Sequence, residues 1–312
     1  MFMLRNAFLT LSQSEKLRQM ATDFALARKV SRRFVAGEQL AEAIQVIHQL
    51  ERDGLLVTLD FLGENTDSET EANFYTEEQM RALDGIANAG VKANVSLKLT
   101  AMGLDISDEL ATRNLRRVLE RARDRGKNFV RIDMESSDYI DRTLALYEKM
   151  RGEGLDNVGV VIQSYLYRSE RDVLKLIDMG ARVRLVKGAY DEPPHLAFPD
   201  KADVDANYIH LMKLLMSKEA REKGVYCAIA SHDPQMIDAT KAYAADQAIP
   251  RDAFEFQMLY GISTSMHHQL AKEGYRFRVY VPYGTHWYPY FMRRLAERPA
   301  NVLFIARSLV KR

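Results

Sequence analysis

Cysteine is almost missing from this chain: Cys227 stands alone among 312 residues. A single thiol excludes an internal disulfide and any cysteine-rich zinc site, and a lone cysteine reads first as a small core residue. Long apolar runs are missing too, and no secretory leader is evident, so a soluble, intracellular protein is expected. Charge of one sign is not in excess. Lys and Arg total 44 against 43 Asp and Glu, a net charge of +1, which gives no general attraction to nucleic acid. Motifs that would name a chemistry outright are absent: no GxGxxG follows an apolar run, no HExxH is present, and Ser231 beside His232 lacks a GxSxG setting. His267 and His268 are adjacent and so do not share a helix face, which leaves metal catalysis poorly supported.

What is present is 47% hydrophobic residues, ample for a core, in a length that fits two average domains or one large barrel. Residues 5–50 have helical spacing, first through Leu11, Leu17, Met20, Phe24 and Leu26, then in a second helix from near Gly37 through Leu40, Ala43, Ile44, Ile47 and Leu50. The basic cluster at 28–33 reads as a solvated face. From residue 55 the period changes. Short apolar runs begin at 55, 91, 128, 158, 182, 225, 254 and 276, separated mostly by segments of helical length. Strands alternating with helices predict a parallel sheet, and eight of them close without an exposed edge, so a (βα)8 TIM barrel is favoured over an open doubly wound sheet. The division expected is a helical segment over 1–50 and a barrel over 51–312. Thr76 before Glu77 and Glu78, and Ser169 before Glu170, read as helix caps. A Pro-rich, charged loop over 191–203 is expected to sit over the barrel mouth before a helix starting near Asp203.

Active sites of such barrels lie at the C-terminal ends of the strands. Those ends are polar here: Asp60 and Glu64; Lys98 and Thr100; Arg131, Asp133 and Glu135; Gln163 and Tyr165; Arg184, Lys187 and Tyr190; Ser231, His232 and Asp233; Glu255 and Gln257; Tyr280 and Tyr283. Lys98, Asp133, Gln163 and Arg184 are single polar residues inside apolar runs at matching depth, which points to a converging site. The run RVRLVKGAY at 182 carries two cations on a core strand, and buried cations need anionic partners. Two accounts stand side by side: an anionic ligand approached closely at Gly188 and Ala189, or an internal ion pair with Asp133 or Asp191. His232 has three open roles: metal ligand, general base and cofactor contact. Near the C-terminus, Arg293 and Arg294 precede Glu297 at helical spacing. A surface ion pair is the commoner outcome there, but Trp287, Tyr288, Tyr290 and Phe291 imply a packed helix whose arginines can fork a carboxylate.

Taken together, SLKLTAM at 96, RLVKGAY at 184, ASHD at 230, FEFQMLYG at 254, VPYGTHW at 281 and RRLAERPAN at 293 resemble the proline dehydrogenase family, in its monofunctional bacterial form, from about residue 5 to the C-terminus. The resemblance implies a distorted (βα)8 barrel with N-terminal helices, a final helix over the mouth, and noncovalent FAD. It implies oxidation of L-proline to Δ1-pyrroline-5-carboxylate by hydride transfer to the flavin N5. By the same resemblance Arg184 lies near the flavin N5 with Asp133 orienting it, Gln163 contacts the isoalloxazine, and Lys187, Gly188 and Ala189 line the cofactor. Ser231 and His232 bind the ribityl, phosphate or adenine portion. Lys98, Arg293 and Arg294 hold the substrate carboxylate; Tyr190, Leu259 and Tyr280 shape the ring pocket; Glu297 supports the arginines; and Glu64 pairs with Arg293 as a gate. The implied partners are a membrane quinone that takes the electrons and a separate pyrroline-5-carboxylate dehydrogenase downstream. The implied location is cytoplasmic, with peripheral contact at the inner face of the cell membrane.

Two other readings use the same residues. A flavin-free lyase would form a Schiff base through Lys98 or Lys187, which requires a lysine with a depressed pKa. A binding protein would hold a small carboxylate on the same barrel without chemistry.

Overall fold

A computed structural model describes residues 31–297 of the chain, with side chains through 292. The helical pattern expected before residue 31 lies outside the described residues. The second expected helix is α1 (Leu40–Arg52), which buries Ala43 and Ile47. Eight strands follow in a closed parallel barrel in chain order. They are β1 (Leu56–Phe61), β2 (Ala93–Leu97), β3 (Val130–Ile132), β4 (Val158–Gln163), β5 (Arg182–Val186), β6 (Tyr226–Ala230), β7 (Phe254–Leu259) and β8 (Arg276–Tyr283). Each lies within the apolar run that predicted it. Closure comes from β1 against β8, paired from Leu56↔Arg278 to Phe61↔Tyr283.

The intervening helices are α2 (Glu69–Ala89), α3 (Asp108–Asp124), α4 (Ile140–Gly152), α5 (Ser169–Asp178), α6 (Lys201–Leu215), α7 (Lys218–Glu222), α8 (Pro234–Asp246), α9 (Thr264–Lys272) and α10 (Trp287–Glu297). Helix α1 packs against β1, β8 and α2, closing the outer ring where the chain's two ends of the barrel meet. Two expected caps are corrected. Thr76 lies inside α2, where its hydroxyl donates to the Ala72 carbonyl, and the cap is Ser68, which accepts from the Glu71 amide. Ser169 is the first residue of α5 rather than its cap, and its hydroxyl donates to the Gln163 carbonyl.

Residues 191–200 do form a long connection, but it is fastened rather than loose. Leu166 and Ala197 pair as an antiparallel bridge, the Tyr167 amide donates to the Leu196 carbonyl at 3.1 Å, and the rings of Tyr167 and Phe198 meet edge-on at 4.5 Å. Glu192 accepts from the Ser137 amide at 2.7 Å, tying the connection to the loop after β3. The helix after it begins at Lys201, two residues before the expected start.

Strand alternation sends Val57, Leu59 and Phe61 outward to the helices and leaves Thr58 and Asp60 for the lumen. The other strands do the same, so the lumen is polar. Its floor is arginine-rich: Arg182 lies over Phe129 at 5.3 Å and over Tyr226 at 5.8 Å. Above it, the Arg278 Nε donates to Glu255 Oε1 at 2.7 Å, and Arg131 donates to the carbonyls of Val160 (3.0 Å) and Arg182 (2.6 Å). Gly159 makes this possible, because a Cβ there would come within 2.7 Å of the Arg131 guanidinium and 2.5 Å of the Arg182 carbonyl.

Candidate active site

The upper lumen is built from strand ends on different sides of the barrel. Arg184, only 5% exposed, donates from Nη1 to Asp133 Oδ1 at 2.6 Å and from Nε to Gln257 Oε1 at 2.7 Å. Asp133 also accepts from the Ser96 hydroxyl at 2.7 Å and from the Tyr280 hydroxyl at 2.7 Å, and the Arg184 guanidinium lies 5.1 Å from the centre of the Tyr280 ring. Of the two accounts of Arg184, the internal pair with Asp133 is thus real. It does not use up the guanidinium, since Arg184 Nη2 is buried with no hydrogen-bond partner among the described residues. A buried donor without an acceptor costs free energy unless a ligand supplies one.

Lys98 is half-buried just above Ser96, and it forms no hydrogen bond or ion pair within reach of another described side chain. Burial works against its charge, but Asp60, Glu64 and Asp133 together outweigh that and hold it above the ordinary lysine range. A lysine kept charged is a poor Schiff-base nucleophile. Lys187 is no better suited: its ammonium sits between Asp205 (2.5 Å) and Asp233 (2.6 Å), and Lys201 bonds to the same two carboxylates. The requirement of the lyase reading, an uncharged lysine facing the site, is met by neither. Asp233 is pulled down to about 2, because the two lysines more than offset its burial.

The remaining residues singled out in the sequence fall around this centre. Gln163 is buried and donates to the Glu135 carbonyl at 2.9 Å. Gly188 has φ +119°, and a Cβ there would fall 2.3 Å from the Tyr165 ring, so a side chain is excluded on both counts. Ala189 and Tyr190 are exposed on the rim. Ser231 accepts from the Asp233 amide, and the His232 Nε2 accepts from the Leu259 amide at 3.2 Å, which fixes the ring's tautomer with its proton on Nδ1. Leu259 packs with Phe34, Leu62, Ile262 and the aromatic face of α10. Glu64 lies half-buried in the loop after β1. The side chains of Arg293, Arg294 and Glu297 lie outside the described residues, so their fork and the gate with Glu64 stand as expectations. Among the described residues no three His, Cys, Asp or Glu converge as a metal-ligating group.

Several lumen residues gained no role from the sequence. Asp60 is 1% exposed, and Ser96 and Gln257 are fully built into the Arg184 network. Their signal was the same one that marked Lys98 and Arg184, a polar residue alternating with apolar neighbours on a barrel strand.

This arrangement, with a buried guanidinium nitrogen left over, suits a small anion. A family model described as proline dehydrogenase matches residues 43–307. Proline dehydrogenase 1 of Bacillus subtilis (strain 168) is 45% identical over 310 residues, covering 99% of this chain and all of the relative (100%). Proline dehydrogenase of Deinococcus radiodurans is 41% identical over 311 residues, with 98% of each chain covered. A crystal structure of proline utilization A (PutA) from Bdellovibrio bacteriovorus inactivated by N-propargylglycine superposes with a TM-score of 0.80 at 30% identity, covering 87% of this chain and 33% of that one. The chain therefore spans about a third of that larger protein.

Proposed function

The chain belongs to the proline dehydrogenase family and is an oxidoreductase of the first step of proline catabolism; on that premise we propose that it oxidises L-proline to Δ1-pyrroline-5-carboxylate with noncovalent FAD. The observation that carries the proposal is Arg184, a guanidinium locked by Asp133 and Gln257 with one nitrogen left over in the lumen. The residues present fit a flavin. Arg184 offers a preorganised positive donor, and Gln163 and His232 stand at the ends of the strands on either side of its own. FAD, when bound, supplies the hydride acceptor.

The protein's part is placement and electrostatics. Arg184 stabilises negative charge developing near it, and Asp133 and Tyr280 keep it from reorienting as that charge appears. Lys98 presents a charged, unshared ammonium to the substrate carboxylate, and Arg293 and Arg294 complete the grip as a bidentate fork. Tyr280, Tyr190 and Leu259 bound the proline ring. Lys187, Gly188, Ala189, Ser231 and His232 hold the rest of the cofactor, and Glu64 with Arg293 closes the site to water, with Glu297 behind the arginines. Electrons pass to a membrane quinone and the product to a separate pyrroline-5-carboxylate dehydrogenase. Among the described residues no helix is long and apolar enough to cross a membrane. We place the protein in the cytoplasm with peripheral contact at the inner membrane face, and divide it into a helical segment (1–50) and the catalytic barrel (51–312).

The test is an absorbance spectrum of the purified protein followed by anaerobic addition of L-proline. Flavin bands that bleach with proline are expected. Flavin bands indifferent to proline would remove the substrate, and failure to take up FAD would remove the cofactor.

A further inference from the structure

Asp60 is the least comfortable residue in the lumen. It is 1% exposed, and both carboxylate oxygens are buried without a hydrogen-bond partner. Its position is fixed by the register of β1, where it pairs with Ser96 on one side and Pro282 on the other. It therefore faces the same space as Ser96, whose hydroxyl reaches Asp133. Nothing in the packing requires an acid there: an unpartnered buried carboxylate is costly, and an apolar residue of similar size would be cheaper. The charges around it come from every side of the upper barrel. Lys98 follows β2, Asp133 follows β3, Arg184 is on β5, Tyr280 and Tyr283 are on β8, Tyr75 is on α2, and Glu64 bears on the same lysine. Among them, Lys98 is the strongest attraction on Asp60, and Asp60 is the strongest attraction on Lys98. No hydrogen bond or ion pair joins the two among the described residues, so each is the other's strongest charged attraction without a contact that locks them together.

We propose that Asp60 and Lys98 form a proton-linked carboxylate receptor, in which a substrate carboxylate that engages Lys98 displaces Asp60 as its counter-charge and Asp60 takes up a proton. This rests on the substrate reading of the barrel mouth given above. The sign follows from electrostatics. A second anion beside Asp60 disfavours its charged form and spends the attraction of Lys98, so the affinity of Asp60 for a proton rises when the ligand binds. Burial already sets that carboxyl above the ordinary range, with the Asp133 carboxylate adding to the shift and Lys98, Tyr280 and Arg184 opposing it. The uptake therefore falls above the pH range in which an ordinary aspartate titrates. Asp60 is a positioning residue here: it acts through Lys98 and does not touch the reacting carbon. The lumen stays near constant net charge as the anion enters, which lowers the cost of burying the anion in a site that already holds several carboxylates.

The experiment is titration calorimetry on the FAD-bound, oxidised protein. The ligand is cyclopentanecarboxylate, which has the ring and the carboxylate of proline but no amine to titrate or oxidise. Runs in buffers of different ionisation enthalpy, from about pH 6 to about pH 9.5, give the protons taken up per ligand. The wild type is expected to take up a fraction of a proton that changes with pH across this range, with Kd rising by up to about tenfold per pH unit where the uptake approaches one. Asp60→Asn is expected to abolish that difference and to bind more tightly than the wild type at the alkaline end. Asp60→Ala, which also lacks the titrating group, must reproduce the loss of uptake, which guards against a folding artefact of either variant. Equal proton counts in wild type and both variants would overturn the inference and leave the substrate reading standing. Failure of the wild type to bind either cyclopentanecarboxylate or L-proline would instead overturn the substrate reading.

Discussion

The floor and the mouth of this barrel are made of the same materials and finished differently. At the floor, Arg278 pairs with Glu255 through two nitrogens and gives its third donor to the Val57 carbonyl at 2.9 Å. Gln257 adds a further bond to Glu255. At the mouth, Arg184 keeps one buried nitrogen and Asp60 two buried oxygens without a hydrogen-bond partner among the described residues. Both regions cost desolvation, and the floor recovers more of it within the fold, although Arg131 Nε there is also buried without such a partner. The contrast separates charges paired within the barrel from charges that the fold leaves partly unpaired.

The largest expected effect tests the structural half. Glu255→Ala leaves Arg278 buried and unpaired, and we expect a loss of about 3–5 kcal/mol in unfolding free energy, read by urea denaturation, with activity per folded molecule retained. A collapse of specific activity with stability unchanged would reverse the assignment of the two regions. Next, Arg184→Met is expected to lower kcat/KM by roughly 10²–10³, about 2.7–4 kcal/mol of transition-state stabilisation, with FAD content measured alongside to separate catalysis from cofactor loss. A variant as active as the wild type would move the electrostatic role elsewhere. Gly159→Ala sharpens the view of the floor. The added methyl meets a guanidinium and a carbonyl, and a stability loss of about 1–3 kcal/mol is expected without a change in KM.

The smallest effect carries a definite sign. Asp60 has a folded-state pKa above its unfolded value, so the folded protein binds the proton more tightly. The stability this gives is fully present below the unfolded pKa and is lost as pH rises through the folded one. Asp60→Asn should therefore melt higher than the wild type at neutral and alkaline pH, the gap growing as pH is raised and closing near about pH 4. A constant gap across that range would mean that Asp60 titrates in the fold where it does in the unfolded chain.

Much of this was legible in the sequence because barrel strands alternate. The runs at 55, 91, 128, 158, 182, 225, 254 and 276 each contain the observed strand, and the positions of Lys98, Asp133, Gln163 and Arg184 within them placed all four in the lumen. Which carboxylate meets which cation was not legible. Asp133 and Arg184 are 51 residues apart, and Arg184 and Gln257 are 73 apart, so their pairing is set by the closure of the barrel and not by any local pattern. Lys187 shows the same limit. Its partners Asp205 and Asp233 arrive from α6 and from the loop after β6, far from it in sequence. Thr76 misled because a cap signature is local, while the helix it sits in begins where Ser68 meets the Glu71 amide. Strand alternation put Asp60 in the lumen as surely as Arg184, but an acid without a visible partner gives no hint of a task until its surroundings are known.

Cys227 lies on β6 at 2% exposure, and burial pushes its thiol up to about 12. At neutral pH almost none of it is thiolate, and the little that forms has no path to a reagent. Since it is the chain's only cysteine, the native protein is a silent background for thiol chemistry. A cysteine introduced at Leu196, exposed at the crest of the fastened connection, would take a maleimide fluorophore at that one position and turn the connection into an optical reporter of whether substrate or cofactor moves it.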